Sequence, residues 1–121
     1  VRLCGDSPLL EPKVLRLMLD QIPRYPDADV ITNVWPMREF PPGQSVEIFR
    51  ASTFFSMDTE KMSAHEQEHI GPYFYFRPST PFETHDLIHH VFGISRPPDM
   101  TFDRDSYVVD TIEDLRRLEE I

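Results

Sequence analysis

The chain has 121 residues, 40% apolar and 12% aromatic, and its 21 Asp and Glu outnumber 12 Lys and Arg to leave a formal charge of −9. That length supports one small domain with a core but not two independent ones, and the composition is that of a globular chain. The acidic balance disfavours broad nucleic-acid binding, while a local phosphate pocket or a divalent cation stays compatible with it.

Val1–Cys4 reads as a short buried strand that ends at the breaking residues Gly5-Asp6-Ser7-Pro8. Cys4, the one cysteine, excludes an intramolecular disulfide and fits a reducing, cytoplasmic compartment. In that apolar run it reads as a buried structural thiol rather than a nucleophile. Pro12 suits the first turn of a helix. Val14, Leu15, Met18, Leu19 and Ile22 then recur at helical spacing until Pro23. Asp27-Ala28-Asp29 leads into a second strand, Val30–Asn33, so residues 1–33 spell a right-handed βαβ unit.

Residues 36–43, PMREFPPG, form a loop, and Ser45–Phe49 alternates polar and apolar side chains as a half-buried strand does. Helices are expected from about Ser52 to Met57 and around Ser63–His69, where Gly71-Pro72 stops the second. Tyr73–Arg77 resumes an extended aromatic run, and a further helix is possible at Thr84–Phe92. Tyr107-Val108-Val109 reads as a last strand. Asp110-Thr111 then caps a closing helix, Ile112–Ile121, with Thr111-x-x-Asp114 as its capping box. Leu115, Leu118 and Ile121 of that helix are expected to face the core. No stretch approaches the roughly 18 apolar residues of a membrane span, and no signal peptide is visible. The first residue is Val rather than an initiator Met, which suggests an excerpt from a longer protein.

Asp6 and Asp110 each close an apolar strand, where open α/β sheets place their ligands. Either can offer a hard oxygen to Mg²⁺, and either can serve instead as a turn or helix cap. A second pattern competes with this one. His65-Glu66-Gln67-Glu68-His69 matches the H-E-x-x-H pattern, in which two imidazoles share zinc beside a general-base glutamate. Gly71-Pro72 ends that helix too soon, however, and Tyr75 stands where a metzincin-type third ligand would be His. His85, His89 and His90 form another cluster, which reads as a polar helix face rather than a zinc or nickel site.

Ordered blocks across the chain carry a more specific signal: VRLCGDSPLLEP, DADVITN, FPPGQSVEIF, EQEHIGPYFY and VVDTIEDLRRLEEI. Together they resemble the carboxyl-terminal half of the cytidylyltransferase family that activates sugars as CMP-sugars. The similarity is to the branch associated with spore-coat polysaccharide biosynthesis, with the CMP-Kdo and CMP-sialate synthetases as more distant relatives.

The resemblance implies a partial nucleotide-diphospho-sugar transferase fold, α/β and Rossmann-like, with a mostly parallel sheet flanked by helices. On that basis residues 1–121 would be the carboxyl-terminal half of one domain. Asp6 and Asp110 would hold Mg²⁺, while Gln44, Ser45, Glu47, Glu68 and His69 would line the sugar pocket. The substrates implied are CTP and a sugar, with pyrophosphate released and no nucleic acid or membrane involved.

In the family pattern the Ser45 position is often aspartate and the Gln67 position often arginine, which bears on the identity of the sugar. The family's basic, glycine-containing nucleotide loop would lie upstream, and no such segment occurs in these residues. The isolated chain is therefore expected to be inactive, and either a homodimer or association with a missing amino-terminal half is anticipated. A non-catalytic half-domain or pseudoenzyme subunit is the alternative.

Overall fold

The computed structural model describes residues 1–5, 7–56, 60, 62–68, 74 and 90–119; for residues 67, 68 and 118 it describes the backbone alone. Helix α1, Pro12–Leu19, begins with proline at its first position, where no amide hydrogen bond is lost. Val14 and Met18, four residues apart on one face, are fully buried, and Leu15 and Leu17 pack beside them. Leu19 and Ile22, expected on the same stripe, are exposed. A 3₁₀ turn, Ile22–Arg24, follows the helix, and the Tyr25 ring then stacks on Phe92 with centroids 4.5 Å apart.

Among the described residues, three strands form a mixed sheet in the order β2–β1–β3. Strand β1, Val30–Thr32, is central and buried throughout, as its unbroken apolar start suggests. Strand β2, Glu47–Phe49, pairs with it antiparallel, and β3, Val91–Gly93, pairs with it parallel, Ile31 lying opposite both Ile48 and Phe92. Alternate residues of β1 serve the two faces. Ile31 joins Val14, Met18, Phe40, Val46 and Ile48 in one apolar cluster, while Val30 joins Phe74 in a second with Phe49 and Val91. Gly93 is required by a close approach: a Cβ there would lie 2.1 Å from the Trp35 carbonyl oxygen.

Asp29 ties the three strands together at one end. Its carboxylate accepts a hydrogen bond from the His90 amide at 2.9 Å and another from the Thr53 hydroxyl, and Arg50 stands 4.0 Å away. Its own amide donates to the His90 carbonyl at 2.8 Å, and its carbonyl accepts from the Arg50 amide at 2.8 Å. Helix α2, Ala51–Phe55, starts directly after Arg50, and α3 spans Ala64–Glu68. The last helix, α4, spans Ile112–Glu119.

Several expectations give way here. Val1–Cys4 is not a strand: only Arg2 bridges to Glu47, antiparallel, and Val1, Leu3 and Cys4 are exposed. The expected adjacent βαβ pair is therefore split, because β2 lies between the first segment and β1, and the described sheet is mixed rather than mostly parallel. Cys4 is an exposed thiol, not a buried one.

Residues 91–93 form a strand where the end of a helix was expected, and residues 84–89 lie outside those described. Tyr107–Val109 does not pair as a strand; the Tyr107 amide is used on the Pro42 carbonyl at 2.7 Å. On α4, Leu115 is exposed rather than packed in the core, and the side chains of Leu118 and Ile121 lie outside those described. The extended run at 73 and 75–77 lies outside the described residues.

Candidate functional site

At one corner of the fold, buried amides draw together segments that are distant in the chain. Asn33 follows β1 and is fully buried. Its Nδ2 donates to the Gln44 carbonyl at 2.7 Å, and its Oδ1 accepts from the Val46 amide at 2.8 Å. Gln44, also fully buried, accepts from the Glu11 amide at 2.9 Å through Oε1 and donates to the Leu9 carbonyl at 3.0 Å through Nε2. Buried polar atoms need partners of this kind, and all four side-chain amide atoms have them.

The loop before Gln44 holds the approach to Asp110. Gly43 has φ +91°, a left-handed conformation that L side chains rarely adopt, and a Cβ there would lie 2.6 Å from the Tyr107 carbonyl carbon. Tyr107 is buried, and its hydroxyl accepts from the Asp103 amide at 3.1 Å. A cavity of about 330 Å³ opens between Pro8–Pro12 on one side and Asp103, Arg104 and Tyr107 on the other. The stretch that follows Asp6 and the stretch that precedes Asp110 thus face each other across one cavity.

Asp110 itself is exposed, just before α4. The helix start is capped as expected: the Asp114 amide donates to the Thr111 hydroxyl at 3.1 Å, and Asp114 Oδ2 accepts from the Thr111 amide at 3.0 Å. The same oxygen accepts from the Asp110 amide at 3.1 Å, and Arg117 contacts the other. The Asp110 amide first and the Thr111 hydroxyl next, with lesser help from the Thr111 amide and the Arg117 charge, hold the Asp114 carboxyl below its ordinary value against an opposing effect of desolvation. Asp114 is thus spent on the helix end, whereas the Asp110 carboxylate is open to solvent beside it. An exposed carboxylate is a donor of the right chemistry for Mg²⁺, which takes one or two carboxylates together with substrate phosphates.

The other expected site residues distribute unevenly. Glu47 is not the outward-facing residue that strand alternation allows; it is buried and paired with Arg2 at 2.7 Å, the same two residues that exchange backbone hydrogen bonds at the sheet edge. Ser45 is half-buried between Gln44 and Val46. Glu68 ends α3, with its side chain outside the described residues, as are Asp6 and His69. The expected meeting of Asp6 with Asp110, and the facing of Glu68 and His69 into the same pocket, therefore lie outside the described residues.

Arg2, Asn33, Gly43 and Tyr107 were not singled out from sequence. Gly43, after two prolines, and Asn33, a polar residue closing an apolar strand, carried the available signals.

The H-E-x-x-H segment has a local explanation. Glu66 Oε1 accepts from the Ser63 amide at 3.0 Å, and the Ser63 hydroxyl accepts from the Glu66 amide at 3.2 Å. That reciprocal pair is a capping box at the start of a five-residue helix, so the presumed general base is occupied in starting α3. Among the described residues, no three His, Cys, Asp or Glu side chains are grouped to hold a metal ion. Of the second histidine cluster only His90 is described, and it lies directly before β3 rather than on a helix.

No protein-family model matches the chain. No curated protein matches it either. Among solved structures, it is similar to a cytidylyltransferase from Leptospira borgpetersenii serovar Hardjo-bovis (strain JB197), with 28% identity and a TM-score of 0.70 over 95% of this chain. The match spans 44% of that structure's chain, so the present chain corresponds to less than half of it. The small mixed α/β sheet with its helices is consistent with part of a nucleotidyltransferase fold, and the likeness supports a place among the cytidylyltransferases.

Proposed function

We propose that these residues are the carboxyl-terminal half of a cytidylyltransferase domain that joins CTP to a sugar, forming a CMP-sugar and pyrophosphate for cell-surface polysaccharide biosynthesis. The observation that carries this reading is the likeness to a solved cytidylyltransferase over 95% of the chain. Two features agree with it. Two of the ordered blocks, DADVITN and FPPGQSVEIF, supply β1 and β2, and Gln44 of the second joins residues 9–11 of the first block. The free Cys4 thiol suits a cytoplasmic enzyme.

In this reading Asp6 and Asp110 hold Mg²⁺, which when bound neutralises charge on the triphosphate oxygens as pyrophosphate leaves. Ser45, Glu47, Glu68 and His69 belong to the sugar side. The chain's own contribution is placement, and the transfer needs no covalent nucleophile from the protein.

The remainder of the domain completes the nucleotide site. An open apolar groove of about 460 Å³, between Val1–Leu3 and the side chains of Phe49, Phe54 and Phe55, is a face on which such a segment can pack. The test is turnover. The natural chain that contains these residues should release pyrophosphate from CTP when given a panel of acidic and neutral sugars with Mg²⁺, and the isolated 121 residues should not. Product formation by the isolated residues would defeat the half-domain reading. Absence of any product from the natural chain would favour a non-catalytic subunit.

A further inference from the structure

Gln44 was expected to touch the sugar, yet its side chain is fully buried and both amide atoms are spent on backbone. To reach a sugar hydroxyl it would have to release the Glu11 amide and the Leu9 carbonyl, leaving two polar groups without those partners. A buried polar group stripped of its partner bears its full desolvation penalty, so such a release is strongly disfavoured. The neighbouring bonds extend in both directions. Asn33 anchors the Gln44 carbonyl to the end of β1, and Pro42, two residues before Gln44, accepts the Tyr107 amide.

We propose that Gln44 is a positioning residue: it clamps Leu9–Glu11, downstream of Asp6, to the same loop that holds the segment leading to Asp110. The proposal rests on the cytidylyltransferase reading for its catalytic consequence, but the clamp itself is a property of the chain. Its two arms and the Asn33 anchor link the end of β1 to residues 9–11, and the bond between Pro42 and Tyr107 links the same loop to the start of the segment leading to Asp110. Phosphoryl-type transfer is sensitive to such placement, since an error of about 1 Å in a reacting group can lower the rate on the order of a hundredfold.

Two substitutions separate the arms. Gln44→Met keeps the length of the side chain and removes both hydrogen bonds. Gln44→Glu keeps an acceptor for the Glu11 amide and loses the donor to Leu9, and it serves as the test if the Met variant does not fold. In the natural full-length chain, Gln44→Met should lower kcat at least about tenfold and leave KM for the sugar within about twofold, with Gln44→Glu between it and the parent. A sugar contact predicts a raised KM at unchanged kcat, and that result would overturn the proposal.

Hydrogen exchange on the same proteins gives a second, activity-independent reading. Gln44→Met should speed exchange at both the Glu11 and the Tyr107 amides, whereas acceleration at Glu11 alone would show no shared unit and would also overturn the proposal. If the parent protein makes no CMP product, the cytidylyltransferase reading fails, and the clamp stands or falls on the exchange result.

Discussion

Replacing Gly43 by alanine tests the joint between the two halves of the candidate site. The new methyl would stand 2.6 Å from the Tyr107 carbonyl carbon, 2.7 Å from its Cβ and 2.9 Å from its oxygen. Two of those three atoms are backbone, so no side-chain rotation relieves the overlap. The φ of +91° adds a backbone cost of roughly 1–3 kcal/mol for any residue with a Cβ. Movement of Tyr107 away from the loop forfeits its 2.7 Å hydrogen bond to Pro42, worth about 1 kcal/mol. Together these predict a loss of about 2–4 kcal/mol. Trp35, the one tryptophan, reports unfolding by fluorescence in urea. With a slope of about 1–3 kcal/mol/M for a chain of this size, the midpoint should fall by at least about 0.7 M. A midpoint shifted by less than about 0.3 M, with Tyr107 amide exchange unchanged, would refute the close-packed joint.

Asp29→Ala should destabilise the chain by roughly 2–3 kcal/mol, because it removes a carboxylate that accepts from the His90 amide and the Thr53 hydroxyl. Urea unfolding measures the loss, and exchange at the His90 amide should rise with it. Asp114 has a folded pKa below its ordinary value, so the stability it contributes is fully present above that ordinary value and is lost as pH falls through the lower, folded one. Acid titration should therefore lower the protection factors of the Asp110 and Thr111 amides, taken relative to their intrinsic exchange rates at each pH, and Asp114→Asn should flatten that dependence.

Local signals in the chain carried much of the fold. Pro12 and the Val14–Met18 spacing define α1, Ser63 and Glu66 define the start of α3, and Thr111 with Asp114 defines the start of α4. The failures are non-local. Val91-Phe92-Gly93 is too short and too close to a helical histidine pattern to announce a strand; its parallel partner, Val30–Thr32, lies about sixty residues earlier. Glu47 alternates as an outward residue should, yet Arg2, 45 positions away, covers it.

Val1–Cys4 and Tyr107–Val109 are apolar enough for strands, but pairing requires a partner ladder: Arg2 makes one bridge, to Glu47, and the Tyr107 amide is used on the Pro42 carbonyl. The exposure of Leu115 has the same character: amphipathic spacing specifies a face for burial, not the element that covers it. Near the candidate site, the capped helix start after Asp110 was legible, because Thr111 and Asp114 follow an apolar run at capping-box spacing. The use of Gln44 on Leu9 and Glu11 was not, since nothing within its own segment points 35 residues back.

The central claim, that these residues belong to a cytidylyltransferase in which Asp110 serves the metal site, meets its most direct test in the natural full-length chain and its Asp110→Ala variant. CTP-dependent pyrophosphate release with a sugar acceptor and Mg²⁺ is the measurement. The account predicts activity in the parent and a fall of at least about a hundredfold in the variant, with urea stability changed by less than about 0.5 kcal/mol because the side chain is exposed. Full activity in Asp110→Ala would contradict the metal assignment, and no CTP turnover by the parent would contradict the account as a whole.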